Sequence, residues 1–178
     1  MASIEKAPPA AGLAELKAYL RIEDNGEDAL LSALLRAATE TVEAMLGLLL
    51  FEREVVERGD VRDGGLRLAA EPARSLVGAE AVAMDGTSRT LGVGEAQFRV
   101  GRYGEGRLDV PGLPDCQQLL VRYRAGMASD WNWVPEVLRL SVIRAAAHFH
   151  SHRDAPDDPG IPPAVRRMLS PWRARRIR

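Results

Sequence analysis

Three histidines lie close together near the C-terminal end of the sequence, and their side chains are the best suited to metal chemistry. His148 and His152 are four residues apart, which places both imidazoles on one face of a helix, as in some zinc sites. Phe149 stands where an H-E-x-x-H protease has its glutamate, and no distant cysteine or histidine stands out to complete a ligand set. We interpret these two histidines and His150 as polar residues at a helix end and predict no metal site. A metal enzyme or small hydrolase built around the three histidines stays open as a further possible function.

Other residues of catalytic type also lack the neighbours that catalysis requires. Cys116 is the only cysteine, so neither an internal disulfide nor a cysteine-based zinc site can form within the chain. No G-x-S-x-G nucleophile motif occurs. The glycine-rich stretches 92–94 and 101–106 have neither a G-x-G-x-x-G pattern nor a phosphate-binding lysine, and we interpret them as hairpin turns. The sequence predicts no catalytic residue, no cofactor and no enzyme activity.

Residues 162–178 form a basic segment that we call the C-terminal arm. Six of the 24 basic side chains and none of the 25 acidic ones lie in it, so the rest of the chain is acidic. Four prolines and a glycine in residues 154–163 break the preceding helix and predict a hinge. Ten residues of the arm are predicted to bind a partner: Arg166, Arg167, Met168, Leu169, Trp172, Arg173, Arg175, Arg176, Ile177 and Arg178.

The composition of the arm leaves three interpretations open. Its arginines could neutralise nucleic-acid phosphates, which would make binding strongly dependent on salt. They could instead dock on an acidic protein surface while the apolar residues fill pockets, or the arm could be a solvated tail. Trp172 and Ile177 favour docking on a protein, because neither a solvated tail nor a DNA-binding arm needs them.

Length and composition limit the class of protein. A chain of 178 residues fits one domain, and 46% hydrophobic with 28% charged residues excludes a wholly disordered one. The net charge of −1 gives no overall attraction to nucleic acid, so any such attraction must be local. Apolar runs are too short to span a membrane, and no secretory leader is visible. We expect a soluble protein made in a cytoplasm, without membrane contact.

Two helices are predicted near the N-terminus, beyond a loose leader. Leucines at helical spacing predict the first at Leu13–Leu20. The second is predicted with Asp24 as its N-cap, Glu27 as the capping-box partner and Gly47 as its C-cap. Its buried stripe is predicted to contain Leu31, Leu34, Leu35, Ala38, Val42, Met45 and Leu46. Glu43 is predicted to face solvent.

A third, long helix is predicted with Pro135 in its first turn and to run to about residue 153. It is apolar around nearly its whole circumference, which indicates burial on more than one side, within the subunit or against a neighbour. The candidate residues for contact with a neighbouring subunit are Val137, Leu140, Arg144 and Ala147. Trp131 and Trp133, just before the helix, are interpreted as packing residues, with an interface anchor as the alternative.

Residues 48–126 change to a period of two and predict a β-rich insert. The predicted strands are 54–57, 66–68, 81–84, 97–100, 107–110 and 119–125, separated by glycine-containing turns. The predicted fold class is therefore α+β. It consists of a single domain over residues 1–161, helical at 13–47 and 134–153 with the β-rich insert between, followed by an extended C-terminal arm.

Four pieces of the sequence, in this order, resemble head-to-tail connector (adaptor) proteins of tailed bacteriophages and gene transfer agents. The pieces are residues 13–47, from LAELKAYLRI through the acidic turn to VEAMLG; 120–127, LVRYRAGM; 134–153, from VPEVL to HFHSHR; and 165–173, VRRMLSPWR. The smallest family members are nearly all helical, so the β-rich insert is a departure that larger members share.

The resemblance implies a structural role at the head–tail interface of a phage-like particle. It implies a closed ring, twelve-fold in the family, assembled in the bacterial cytoplasm. The arm would bind the portal protein, the opposite side would receive a stopper or tail-terminator protein, and DNA would pass through the channel without sequence-specific binding. A nucleic-acid-binding module that uses the arginine-rich arm is the alternative function.

Overall fold

The computed structural model describes residues 2–4, 12–83, 85–92, 94–114, 117–152 and 160–173. The chain divides into two compact units. We call Met1–Lys6 with Phe51–Met127 the β unit, and Ala7–Leu50 with Ala128–Arg178 the helical unit. The predicted α+β class is confirmed. The β unit corresponds closely to the predicted insert, whereas the described residues of the predicted arm belong to the helical unit.

The helical unit contains four α-helices and two short 3-10 helices among the described residues. The α-helices are α1 (Leu13–Leu20), α2 (Asp28–Leu46), α3 (Glu136–Ser151) and α4 (Pro163–Leu169). The 3-10 helices are Trp131–Trp133 and Ser170–Trp172. Helix α3 packs against each of the other three helices, so it is the centre of this unit. The core residues are Leu16, Leu31, Leu35, Ala38, Val42, Leu46, Leu138, Val142, Ala145, Ala146, Val165 and Leu169.

The ends of α2 match the prediction at the C-terminus and differ from it at the N-terminus. Gly47 ends the helix in the left-handed conformation at φ 71°, as predicted. No side chain caps the N-terminus. Asp24 instead accepts a hydrogen bond from the Gly26 N–H at 2.9 Å, because its carboxylate closes the preceding turn.

Glu43 was predicted to face solvent, and that prediction is wrong. Its side chain is buried, and its Oε1 accepts a hydrogen bond from the Leu50 N–H at 2.8 Å. The chain reverses direction after Gly47, so the carboxylate satisfies a backbone donor that the turn would otherwise bury without a partner.

The β unit consists of two antiparallel sheets. Its strands are β1 (Ala2–Ile4), β2 (Arg53–Asp60), β3 (Gly65–Arg67), β4 (Ala73–Val82), β5 (Ser88–Thr90), β6 (Gln97–Val100), β7 (Gly106–Asp109) and β8 (Gln118–Ala125). Five strands form one sheet in the order β1-β2-β8-β4-β5, and three form the other in the order β3-β7-β6. Strand β8 is the centre of the larger sheet, pairing with β2 on one side and β4 on the other.

A buried hydrogen-bond network holds β2 and β8 to the turn after β3. The Tyr123 hydroxyl donates to Glu57 Oε2 at 2.8 Å and accepts from the Ala70 N–H at 3.0 Å. The same Glu57 oxygen accepts from the Ala69 N–H at 3.0 Å. Burial raises the pKa of the Tyr123 phenol well above its ordinary value; the Ala70 N–H partly opposes that shift, and the Glu57 charge adds to it.

Candidate assembly interface

An apolar groove between α1 and α3 gathers several exposed hydrophobic side chains of the helical unit. Its apolar lining comes from Tyr19, Val137, Leu140 and Ile143, its acidic rim from Glu15 and Glu136, and its volume is about 280 Å³. Tyr19 is 51% exposed, Val137 41% and Leu140 40%. We call this feature the α1/α3 groove. Large apolar side chains gathered at one exposed site are typical of a surface that a partner covers.

The groove is held in shape by a buried tryptophan. Trp131 is 7% exposed, and its Nε1 donates a hydrogen bond to Glu15 Oε1 at 2.9 Å. Arg139 lies with its guanidinium carbon 5.8 Å from the Trp131 ring centroid, and its Nη2 lies 3.4 Å from Glu15 Oε1 and 3.1 Å from Glu136 Oε1. These contacts fix both rim carboxylates and dock α1 on α3.

Gly12 allows α1 to start against this tryptophan. It adopts φ 83°, and a Cβ at this position would lie 2.8 Å from Trp131 Cζ2. A larger residue would therefore be strained by its backbone and would collide with the indole.

The second tryptophan of the pair has the opposite environment. Trp133 is 77% exposed, although its backbone is fixed in the 3-10 helix. Asp130 Oδ1 accepts hydrogen bonds from both the N–H and the side-chain amide of Asn132 at 2.9 Å, which closes that turn. Trp131 thus fits the packing interpretation, and Trp133 has the exposure that an interface anchor requires.

The four predicted subunit-contact residues divide into two groups. Val137 and Leu140 lie in the α1/α3 groove and are exposed. Arg144 is half-buried, with its Nη1 3.8 Å from Met168 Sδ, and Ala147 is buried at 7% exposure. Because Ala147 packs inside its own unit, its place in a subunit contact is corrected. Tyr19 lines the same groove as Val137 and Leu140. Sequence reasoning missed it because nothing in the sequence of α1 indicates that this tyrosine is exposed.

The described part of the C-terminal arm is helical, and this corrects the prediction of an extended arm for residues 163–172. Val165 and Leu169 are fully buried, and Ile161 is 5% exposed. Leu169 therefore fills a site in its own subunit rather than in a partner. Arg173 Nε donates to the Met45 carbonyl at 3.2 Å, which ties the segment to the end of α2. The spacing of Val165, Met168, Leu169 and Trp172 is a helical stripe that could have revealed this packing.

Other predicted arm residues have exposed or half-exposed side chains. Arg166, Arg167 and Arg173 are exposed, and Met168 and Trp172 are half-buried. Arg166 Nε also donates to the Ile161 carbonyl at 3.2 Å. Arg175, Arg176, Ile177 and Arg178 lie outside the described residues, as do most of the predicted hinge and Cys116.

The three histidines lie at the C-terminal end of α3 and contact carboxylate and imidazole groups. His150 Nε2 lies 3.2 Å from Oε2 of Glu27, the residue just before α2. The His148 and His152 rings stack with their centroids 4.1 Å apart. Within the described ranges, no group of three or more His, Cys, Asp or Glu side chains is arranged to hold a metal ion.

A second cleft lies in the β unit and has mixed charge. Its volume is about 360 Å³, and it is lined by Asp60, Arg62, Asp63, Gly65, Leu66, Arg67 and Arg107. Arg107 donates from Nε to Asp109 Oδ1 at 2.6 Å and from Nη2 to the Asp63 carbonyl at 2.7 Å. These bonds commit Arg107 to holding the β3–β7 sheet together.

Among the helices that the structure describes, none has the length and apolarity to cross a membrane.

Comparison with known proteins gives a family match over part of the chain and a fold match over all of it. Residues 10–72, about a third of the chain, match the family model described as "Phage gp6-like head-tail connector protein". The resemblance that the sequence indicated is thereby confirmed for its first piece, residues 13–47, which lies within the matched segment. No curated protein matches the chain.

The fold over the whole chain is that of chains in gene transfer agent (GTA) particles. One match, in the neck of an empty GTA particle computed with C6 symmetry, has a TM-score of 0.83 at 21% identity. A second match, in the virion of a native GTA particle, has a TM-score of 0.81 at 24% identity. A third, in the neck of a native GTA particle computed with C12 symmetry, has a TM-score of 0.80 at 22% identity. Each match covers 100% of this chain and 97% of the other. The fold match includes the three later pieces of the resemblance, which the family model does not reach.

Proposed function

We propose that this chain is the subunit of a head-to-tail connector ring. The ring joins the portal protein at the capsid vertex to a stopper or tail-terminator protein, and DNA passes through its channel. The observation that carries the proposal is the end-to-end fold match to chains of GTA necks, joined to the connector family match at residues 10–72. The role is structural and requires no catalytic residue or cofactor.

The surface of the helical unit supports assembly into a ring. Tyr19, Val137 and Leu140 leave an apolar patch exposed on a single copy, and a neighbouring copy would remove that patch from water. The neck matches were computed with C6 and C12 symmetry, and we propose twelve copies for this chain. The copies would assemble in the bacterial cytoplasm and remain at the head–tail interface of the particle.

The C-terminal arm is proposed to contact the portal through its exposed basic side chains. Arg166 and Arg167 project from α4 on the side away from the buried Val165 and Leu169. Residues 174–178 add three arginines and Ile177. The acidic balance of the rest of the chain would keep DNA from adhering to the channel wall, because like charges repel.

A co-expression experiment with the cognate portal protein tests this function. Deleting the whole of 162–178 would remove Val165 and Leu169 from the core, so the informative variant ends at Arg173. The full chain should co-purify with the portal as a ring visible by electron microscopy, and the truncated chain should fold and lose most of that attachment. Arg62→Ser, which removes an exposed charge from the β unit, is the matched control and should attach normally.

The alternative, a nucleic-acid-binding module, is supported by neither the family match nor the fold matches. A salt titration separates the two functions, because phosphate contacts make the affinity for DNA fall steeply as salt rises. Tight, salt-sensitive DNA binding that is lost when the arginines of the arm are replaced would favour the alternative. Portal attachment without such binding favours the connector.

A further inference from the structure

The turn between β6 and β7 is fixed against the body of the β unit. We call residues 100–105 the β6–β7 tip. The Gly101 N–H donates to the Glu105 carbonyl at 2.8 Å, and the Tyr103 N–H donates to Glu105 Oε2 at 3.1 Å. The Gly104 carbonyl accepts from the Ala73 N–H at 2.8 Å. Gly104 adopts φ 89°, and a Cβ there would overlap Pro72, so only glycine fits this close approach.

This fixed turn presents an exposed aromatic side chain together with positive charge. Tyr103 is 76% exposed and Val100 44%. The guanidinium carbon of Arg102 lies 5.9 Å from the Tyr103 ring centroid, whereas the charge of the neighbouring-strand residue Arg99 is taken up by Asp109 at 2.8 Å. Tyrosine and arginine are the residue types that most often anchor protein interfaces, and a pre-organised turn loses little entropy when it binds.

The α1/α3 groove has the complementary chemistry. Its lining is apolar, and its rim carries the carboxylates of Glu15 and Glu136, whose two negative charges are only half balanced by the Arg139 guanidinium between them. Glu136 lies at the N-terminal end of α3 with its side chain 82% exposed, so it is accessible to a cation from outside the subunit. Glu105 of the tip is turned inward to the Tyr103 N–H, so the outward pair of Tyr103 and Arg102 matches the apolar lining and the exposed Glu136 carboxylate of the groove.

We propose that the β6–β7 tip of one copy docks in the α1/α3 groove of a second copy. Tyr103 packs on Val137 and Leu140, and Arg102 faces Glu136. Because tip and groove are different surfaces, a docked pair still has the groove of one copy and the tip of the other free, so the contact can repeat from copy to copy around a closed ring. This inference rests on the proposed connector function, since it names the two surfaces that build the ring.

Disulfide trapping in rings formed with the co-expressed portal tests the contact. Tyr103→Cys and Leu140→Cys are combined in a Cys116→Ser background. The double variant should give a ladder of covalent multimers on a non-reducing gel, whereas a mixture of the two single variants should stop at dimers. Val77→Cys with Leu140→Cys is the matched control, because Val77 is 53% exposed on β4, outside the tip, and it should give no ladder.

Charge reversal gives a second test that does not depend on cysteine geometry. Arg102→Glu and Glu136→Arg should each lower the yield of rings about tenfold, and the double variant should restore most of it. Arg62→Glu, a reversal on the same unit outside the tip, should leave the yield unchanged.

The outcomes separate this inference from the proposed function. Rings on the portal that show no Tyr103–Leu140 linkage and no rescue by the double charge reversal would overturn the tip-in-groove contact and leave the connector role standing. Protection of the tip by the portal or by a tail-side protein, with the groove unaffected, would also overturn it. Failure of the unmodified chain to form rings or bind the portal would instead overturn the connector function.

Discussion

Trp131 Nε1 donates a hydrogen bond to Glu15 Oε1 at 2.9 Å, and this bond joins the 3-10 helix before α3 to helix α1. The two residues are 116 positions apart in the sequence. The contact fixes one acidic side of the α1/α3 groove while the apolar side remains exposed. A part-buried hydrogen bond between distant segments therefore also shapes the surface to which we assign assembly.

Replacing Trp131 with phenylalanine should loosen this junction. The variant keeps an aromatic ring in the site but removes the N–H donor and part of the buried indole beside Gly12, so we expect the free energy of unfolding to fall by about 2–3 kcal/mol. Urea unfolding followed by circular dichroism measures the change. Trp133→Phe is the matched control and should stay within about 0.5 kcal/mol of the unmodified chain, because Trp133 is exposed. Equal effects at both positions would contradict the role given to the Glu15 contact.

Replacing Leu169 with alanine tests the packing of α4 in its own subunit. Leu169 is fully buried, so the substitution leaves a cavity and should cost about 2–5 kcal/mol of unfolding free energy. Arg167→Ala, two residues earlier and exposed, should change stability by less than about 0.5 kcal/mol. A stable Leu169→Ala protein would mean that the helix does not pack as the structure shows.

The Tyr123–Glu57 pair should make stability depend on pH in the alkaline range. Folding raises the pKa of the phenol above its ordinary value of 10.0, so the folded state holds this proton more tightly than the unfolded state does. The associated stability is fully present below about pH 10 and is lost as pH rises from there towards the folded-state pKa, at up to about 1.4 kcal/mol per pH unit. Tyr123→Phe should lack this slope when urea unfolding is repeated at several pH values above 10. Identical slopes would show that the phenol does not titrate differently in the two states.

Replacing Leu140 with aspartate should block assembly without unfolding the subunit. Leu140 is 40% exposed, so a charge there is tolerated in a single copy but is costly when a neighbour covers the groove. Recovery of rings after portal co-expression measures the effect, which we expect to be a loss of at least about tenfold. Leu30→Asp, at 38% exposure on α2 and outside the groove, is the control and should assemble normally. Normal assembly of Leu140→Asp would remove the groove from the interface.

Helices α1, α2 and α3 could be predicted from the sequence because apolar residues recur at helical spacing in each of them. Leu13–Leu20 has the predicted bounds, and α2 ends at Gly47 as its glycine C-cap required. Helix α3 begins at Glu136, so Pro135 marks its start as the N-cap rather than as a residue of the first turn. The strands β6 and β8 were also found, because their alternation is regular and glycines bound them.

The features that sequence reasoning missed depend on tertiary contacts. Most of β4 was missed because Ser75 and Gly78 interrupt its alternation, and its pairing with β8 shifts register at two places. The strands β1 and β5 have three residues each, too few to show a period. The helix α4 was missed because prolines and arginines surround its short apolar stripe and predict an extended segment. Nothing local in the sequence shows that the Glu43 carboxylate turns inward to the Leu50 N–H. The exposure of the α1/α3 groove is likewise set by how two distant helices pack.

The most direct test of the central claim is electron cryo-microscopy of the complex that this chain forms with its co-expressed portal protein. The connector account predicts a closed ring of twelve copies on the portal, coaxial with its channel, with the α1/α3 groove of each copy covered by the next. A chain that stays monomeric, or that binds the portal without forming a ring around the channel, would contradict the account.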